Sequence, residues 1–442
     1  MKSTSLPQID VSIFSKAKDL QARILFAIGL LIVYRLGSFI PLPGVDAMAM
    51  KDLAQQNASG VLGMFNMLSG GSLGRMSIFA LSIVPYITSS IVVQLLGFVY
   101  KPLESLKKEG DAGRKKINQI TKLLTIILCV VQSYGVAVTL ENMITSSGGV
   151  VYQAGYFFRM TAVSSLTAGT LFLMWMGEQI SVRGIGNGTS LIIFSGIVAG
   201  FPSAFISIFE LGKTGALSGL KIFSIICITL FLLFLIVFIE RSVRKIIVQY
   251  PKRQVGNKIV GGENSFIPIK INTSGVIPPI FAGSVLLFPI TVINFLQDSD
   301  SYFVKFITEN FAHGKFLYVL TYVVFITFFS FFYTSIIFNP EDTAENLRKY
   351  GGVVVGRRPG AQTAEYFDFV ITRMTVIGAL YLSLVCAVPE ILISAYSFPF
   401  YLGGTSLLII VSVVMELTNQ VQSYLFSQQY DSMLKKIKVR GR

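Results

Sequence analysis

The sequence predicts an all-α polytopic membrane protein with ten transmembrane helices. Three observations carry that prediction. Of the 442 residues, 52% are apolar and 14% charged, against about 25% charge in an ordinary soluble domain. Ten apolar runs are long enough to cross a bilayer, which takes about 20 residues of helix. The second and the seventh are interrupted by proline at nearly matching places, 83–87 (Ile-Val-Pro-Tyr-Ile) and 276–280 (Val-Ile-Pro-Pro-Ile). The alternation over about 10 residues that marks membrane β-strands is not the pattern of these runs.

In chain order, the polar segment 1–21 comes first, and its stretch 11–20 reads as a short amphipathic helix at the cytoplasmic interface. It carries no cleavable signal peptide pattern: the first apolar run starts about twenty residues in, lacks a small-residue cleavage site and contains Arg35. The first five spans are 22–40, 76–100, 122–141, 156–177 and 187–210, which make an N-terminal half over 22–210. Segment 61–75 is apolar, then rich in Gly and Ser, and too short to span, so it reads as a re-entrant or half-inserted piece. The second five are 219–239, 274–294, 316–338, 370–390 and 399–418, a C-terminal half over 211–418, followed by a basic cytoplasmic tail, 419–442. Paired breaks at corresponding positions of two halves point to a central pathway where the halves meet. Lipid tolerates such breaks only where protein or a cavity satisfies the freed backbone groups.

The net charge of +14 is placed as topology requires. With the N-terminus inside, the inner segments hold 29 of the 37 Lys and Arg and the outer loops six, with Arg35 and Arg159 near span ends. This positive-inside bias puts both termini in the cytoplasm. Cys129, Cys227 and Cys386 lie within spans and read as apolar packing residues. His313 is the single histidine, which excludes a histidine triad or multi-histidine metal site. No phosphate-binding GxxxxGK[ST] run occurs.

Acidic residues Glu141, Glu178, Glu210, Glu240, Glu390 and Glu416 sit at span ends, none at mid-span. Ion-coupled carriers place ionisable groups at the midplane, so this pattern argues against that class. Around the breaks lie Ile83, Ile87, Ile193 and Ile280 instead. A ring of such side chains seals a narrow pore by dewetting, yet deforms around a passing object because it makes no directional bonds.

Two inner loops, 240–273 and 339–369, are long and basic. In the first, 246–248 between basic clusters reads as a strand or short hairpin arm. In the second, Asn339-Pro340 opens a short soluble helix through about Tyr350. Val353–355 and a turn at 356–360 follow. Structured basic projections suit a partner with an acidic or phosphate surface, or anionic lipid headgroups.

Several stretches, in order, carry a family likeness: 37–44 (GSFIPLPG), 65–71 (FNMLSGG), 78–86, 107–110 (KKEG), 177–180 with 183–188 (RGIGNG), 275–278 (GVIP), 338–340, 358–360 and 403–408. Over nearly its full length the chain resembles the SecY family, central subunits of the bacterial protein-conducting channel. The resemblance implies two inverted five-helix halves around an hourglass pore. It implies export of unfolded secretory polypeptides and lateral release of signal sequences and membrane helices through a gate between helices 2/3 and 7/8. Segment 61–75, with Met64, Phe65, Asn66, Met67, Leu68, Gly70 and Gly71, matches the plug of the outer funnel. The constriction ring maps onto Ile83, Ile87, Thr189, Ile193, Ile280 and Ile409. Thr189 departs from the usual apolar residue, and the expectation is a slightly wetter ring that leans more on the plug.

The gate's polar seam maps onto Thr88, Gln94, Gln132 and Asn272. Such contacts in membranes average about 0.6 kcal/mol, weak enough for a signal helix to displace. Docking of the ribosome and of the motor ATPase SecA maps onto Lys245, Lys252, Arg357 and Arg358. The resemblance further implies the subunits SecE and SecG, a place in the bacterial cytoplasmic (inner) membrane, no cofactor and no covalent chemistry. The competing readings are an inverted-repeat carrier of small neutral solutes and a membrane scaffold that docks cytoplasmic partners.

Overall fold

A computed structural model describes residues 18–50, 69–145, 148–213, 218–250, 253–255, 258–260, 264–295, 315–396 and 403–440. It is mainly helical, as the composition demands. By its internal contacts the chain forms two compact units, Met1–Phe205 with Val413–Arg442, and Ile206–Ser412.

In the first unit, α1 (Lys18–Gly37) is the first span. Residues 69–83 form turns, and α2 (Val84–Val99), the short α3 (Lys101–Lys108) and the long α4 (Asp111–Asn142) follow. The β1 (Ile144–Thr145) and β2 (Gly148–Gly149) ladder then leads to α5 (Tyr156–Arg183) and α6 (Gly188–Lys213). Between the second and third spans the chain is largely helical, with Gly110 at φ 72° making the corner between α3 and α4. The Pro-broken second span differs from a kinked helix. Pro85 stands in the first turn of α2, where its missing N–H costs nothing. The non-helical stretch before it is satisfied by pairing: the Leu42 N–H donates to the Met76 carbonyl at 2.8 Å, and the Ile78 N–H to the Ile40 carbonyl at 3.1 Å. A buried cluster of Leu42, Val45, Met76, Ala80, Leu140, Phe158 and Leu166 packs that stretch against α4 and α5.

In the second unit α7 (Gly219–Arg241) is the most apolar span, and its Phe231, Phe234 and Phe238 stay exposed, as lipid-facing residues should. Strand β3 (Val243–Gln249), the small ladder β4 (Arg253–Val255) with β5 (Lys258–Val260), and β6 (Asn264–Lys270) follow. Then come α8 (Ile277–Phe295), α9 (Phe316–Ile337), α10 (Pro340–Lys349), β7 (Val353–Val354) and α11 (Ala361–Tyr396). The last helix, α12 (Gly404–Arg440), starts in this unit and ends in the first, continuing as helix through the expected tail. The seventh span again begins with its prolines: Pro278 and Pro279 sit in the first turn of α8.

Seven helices of the described residues are long and apolar enough to cross a membrane, or eight if the bent pair α2–α3 counts as one span. Two shorter apolar stretches, Gly188–Pro202 and Ile277–Leu286, complete the ten expected apolar segments. Buried hydroxyls in the spans donate to their own helix: Thr125 to the Thr121 carbonyl at 2.7 Å, Ser330 to Ile326 at 2.7 Å and Thr334 to Ser330 at 2.8 Å. Lipid gives them no other acceptor.

The two long basic loops fold together as a small soluble layer. Antiparallel order is β6-β3-β7, with Ile246 opposite Ile267 and Val248 opposite both Ser265 and Val354. Alternation along β3 turns Ile246 and Val248 inward and leaves Lys245, Ile247 and Gln249 outside. The inner face packs on Ala344 of α10 and on Phe367, Val370 and Met374 of α11. Asn339 caps α10 as expected, its Oδ1 accepting from the Glu341 and Asp342 N–H groups, with acids in the first turn and bases in the last.

Candidate pore ring, gate and docking surface

Helix starts organise the candidate ring. Ile83 is the N-cap residue of α2, and Ile87 lies one turn on, its N–H donating to the Ile83 carbonyl at 3.1 Å. Thr189 and Ile193 repeat that four-residue spacing at the start of α6. Ile280 falls in the first turn of α8 and Ile409 in the second of α12. Ile83, Ile193 and Ile409 are buried; Ile87, Thr189 and Ile280 are half-buried. Residue 82 marks a strained entry. Ser82 has φ 53°, a left-handed geometry costing about 1–2 kcal/mol for a residue with a Cβ.

Thr189 is less polar in place than its hydroxyl suggests. Its Oγ1 donates to Asn187 Oδ1 at 2.8 Å, and the same oxygen accepts from the Thr189 N–H at 3.1 Å. The hydroxyl is thus committed to the cap of α6. That weakens the case for a wetter ring.

The plug candidates Met64, Phe65, Asn66, Met67 and Leu68 lie outside the described residues. Gly70 and Gly71 are described, in a run of turns with φ of 66° and 81°. That conformation suits glycine. The interfacial helix expected over 11–20 also lies mostly outside, since the described chain starts at Lys18.

Among the gate candidates, Thr88 Oγ1 donates to the Val84 carbonyl at 3.1 Å and Gln94 Nε2 to Ser90 Oγ at 3.2 Å, both within α2. Gln132 is half-buried on α4. Asn272 is buried in the second unit and holds the turn into α8: its Nδ2 donates to Glu240 Oε1 at 2.7 Å and to the Gly275 carbonyl at 3.1 Å, while Ser274 Oγ donates to its Oδ1 at 3.1 Å. These bonds join α7 to the start of α8, a link that reading Asn272 as a seam residue alone does not foresee. Asn272→Ala is expected to destabilise the protein by roughly 1.5–3 kcal/mol, because Glu240 loses a charge-assisted partner. Thermal unfolding in detergent checks it, and Asn272→Ala with Glu240→Gln should be milder than the single change.

On the docking candidates the soluble layer imposes directions. Lys245 is exposed on β3 with its Nζ 4.7 Å from the Phe266 ring centroid. Arg357 and Arg358 stand exposed in the turn between Gly356 (φ 79°) and Gly360 (φ 102°). The Arg357 guanidinium lies 5.3 Å from the centroid of Tyr366, and the Arg358 carbonyl accepts from Thr363 Oγ1 at 2.8 Å. Lys252 lies outside the described residues.

A profile of the SecY family matches residues 77–418. The chain belongs to the SecY family. It is 57% identical over 430 residues to the protein translocase subunit SecY of Rickettsia typhi, covering 97% of this chain and 99% of that one. With the SecY of Escherichia coli K12 it shares 48% over 424 residues, 96% of each chain. Among solved structures, a protein-conducting channel superposes with a TM-score of 0.64 at 16% identity over 91% of this chain and 92% of that one. Sec61 from a canine ribosome-channel complex gives 0.61 at 16%, again over 91% and 92%. At that identity the likeness establishes the fold: these channels and this multi-pass membrane protein share one helical architecture. Another SecY-family likeness, with a TM-score of 0.61, is to a structure in which the plug domain stabilises the closed channel.

Proposed function

We propose that the chain is the channel-forming subunit through which unfolded secretory polypeptides leave the cytoplasm and from which signal sequences and membrane helices pass sideways into lipid. The observation that carries this reading is the likeness to protein translocase subunits over 97% of the chain. In this reading Ile83, Ile87, Thr189, Ile193, Ile280 and Ile409 form the ring, 61–75 plugs it, and Thr88, Gln94, Gln132 and Asn272 line the gate. Lys245, Lys252, Arg357 and Arg358 meet the ribosome and SecA, and SecE and SecG complete the complex. The halves are 22–210 and 211–418, in the bacterial inner membrane, with both termini cytoplasmic. Five of the six ring positions are isoleucine, which supports a deformable seal. A carrier of neutral solutes needs hydrogen-bonding side chains at that depth.

The test is direct. A photo-crosslinker replaces Ile87 in proteoliposomes containing this chain and SecE. SecA, ATP and a secretory precursor stalled midway are then added. An ATP-dependent adduct to the mature part of the precursor is the expected result. Its absence, with SecA active and the chain properly inserted, would favour the carrier or scaffold readings.

A further inference from the structure

Two of the described ion pairs join α4 to α5, and they are built differently. At the C-terminal end of α4, Glu141 is nearly closed off, its side chain 6% exposed. Its carboxylate accepts from the Gly155 N–H at 2.9 Å and from Arg159 Nε and Nη2 at 2.8 and 2.6 Å. A guanidinium fork and a backbone donor fill that carboxylate, so the pair staples the two helices. At the opposite end of the same helices, Lys122 Nζ sits between both oxygens of Glu178, 2.7 Å from Oε1 and 2.8 Å from Oε2. Here the side chains are 40% and 38% exposed. The cation is a point charge on a flexible stem, and a pair this open is weak. A second cation can take the place of Lys122 at little cost.

The carboxylate is also held where such a cation would arrive. Helix α4 packs against α2 as well as α5. The Tyr86 hydroxyl of α2, next to the candidate ring residue Ile87, lies within the field of Glu178. Behind Glu178 the backbone is fixed. The Gly177 carbonyl accepts from Ser181 Oγ at 2.9 Å, and Ser181 Oγ accepts from the Gly188 N–H at 2.8 Å, where α6 begins. Glu178 thus stands on a rigid element beside the starts of α2 and α6, the two helices of this unit that begin with candidate ring residues.

A signal sequence brings the competing cation. It opens with a positively charged segment, followed by an apolar run of about 7–15 residues. The apolar run is suited to lipid. The charged segment must stay at the cytoplasmic ends of the spans, where the positive-inside reading puts Lys122 and Glu178. We propose that Glu178 is a specificity residue for signal sequences: its carboxylate takes the basic N-terminal segment of an arriving signal sequence, and Lys122 occupies it until displaced. The inference rests on reading the chain as a protein-conducting channel and names a contact that selects among its substrates.

The test uses proteoliposomes of the full chain with SecE, supplied with SecA and ATP. Two precursors differ only in their first residues, which carry three lysines in one and three glutamines in the other. Initial export rates are measured for both, and the lysine-to-glutamine ratio is compared across variants. Glu178→Gln should lower that ratio by roughly threefold to fivefold, the size of effect an exposed ion pair sets. Lys122→Gln should raise it by a similar factor, and Glu178→Asp should leave it near wild type. General loss of stability lowers both rates and leaves the ratio alone. A pair that only fastens α4 to α5 is broken equally by either glutamine, so opposite shifts separate recognition from support. An unchanged ratio in Glu178→Gln, or a shift of the same sign in both variants, would overturn the inference and leave the channel reading standing. If Glu178→Gln does not fold, Lys122→Gln decides alone, and a ratio at or below wild type overturns the inference. Export of neither precursor by the wild-type chain, with SecA active and the chain properly inserted, would overturn the channel reading and the inference with it.

Discussion

Arg358→Glu is expected to reduce SecA-driven export from proteoliposomes by at least about tenfold while leaving membrane insertion and unfolding temperature near wild type. The side chain is exposed, so its loss removes no packing. What fixes its direction is backbone. Gly356 and Gly360 take left-handed φ values that define the turn, and the Arg358 carbonyl is tied to Thr363 at the start of α11. A charge presented by a rigid turn contributes more to docking than one on a mobile loop, since less side-chain and loop freedom is lost on binding. Against the acidic partner surface proposed above, reversing it would set like charge against like, which costs several kcal/mol. Arg358→Gln should fall between the two. Arg357→Glu should be milder in docking but lower stability slightly, because that guanidinium also covers Tyr366. Export unchanged in Arg358→Glu, with SecA still bound at wild-type affinity, would move the docking surface elsewhere on the soluble layer.

The turn at 356–360 was legible in the sequence for a local reason: Gly, Arg, Arg, Pro and Gly in five residues can do little but turn. The cap of α10 was legible likewise, since Asn339, Pro340 and the charges at both ends each fit a helix terminus. The ten apolar segments followed from length and hydropathy. The soluble layer was less legible. A basic loop with Ile246 and Val248 gives one strand, but its partners β6 and β7 are about 20 and 100 residues away, and period-two alternation says nothing about which strand pairs with which. The prolines of the second and seventh spans read as breaks in the sequence, and the structure gives the breaks their form. They start α2 and α8 instead of kinking a longer helix, because proline fits the first turn, and 40–42 supplies the hydrogen bonds that 76–78 would have found in a helix.

The glycines that open α6 and α12 should be among the least replaceable residues in the protein. A Cβ on Gly188 would lie 2.0 Å from the Gly177 carbonyl oxygen of α5, and a Cβ on Gly404 2.0 Å from the Val385 carbonyl oxygen of α11. Both obstacles are backbone, so no rotamer change relieves them and the helices must separate. Small residues allow this close approach in membrane helices. In each unit the same contact sets where a helix with candidate ring residues begins, since Thr189 follows Gly188 directly and Ile409 is five residues after Gly404. Gly188→Ala and Gly404→Ala are each expected to destabilise by roughly 1–3 kcal/mol, the usual cost of overpacking, and Gly188→Val by more. Because the displaced helix end carries the residues proposed for the ring, a second effect should appear in whatever protein still folds: higher resting ion efflux than wild type. As a control, Gly97→Ala in α2 meets nothing within 4 Å and should be neutral or slightly stabilising, by up to about 1 kcal/mol from helix propensity. Thermal unfolding in detergent orders the three alanine variants, and efflux from proteoliposomes separates a displaced seal from simple loss of stability. Equal unfolding temperatures for Gly97→Ala and Gly188→Ala would mean that α5 and α6 are not pressed together at Gly177, and that the position of Thr189 is set by the Asn187 cap alone.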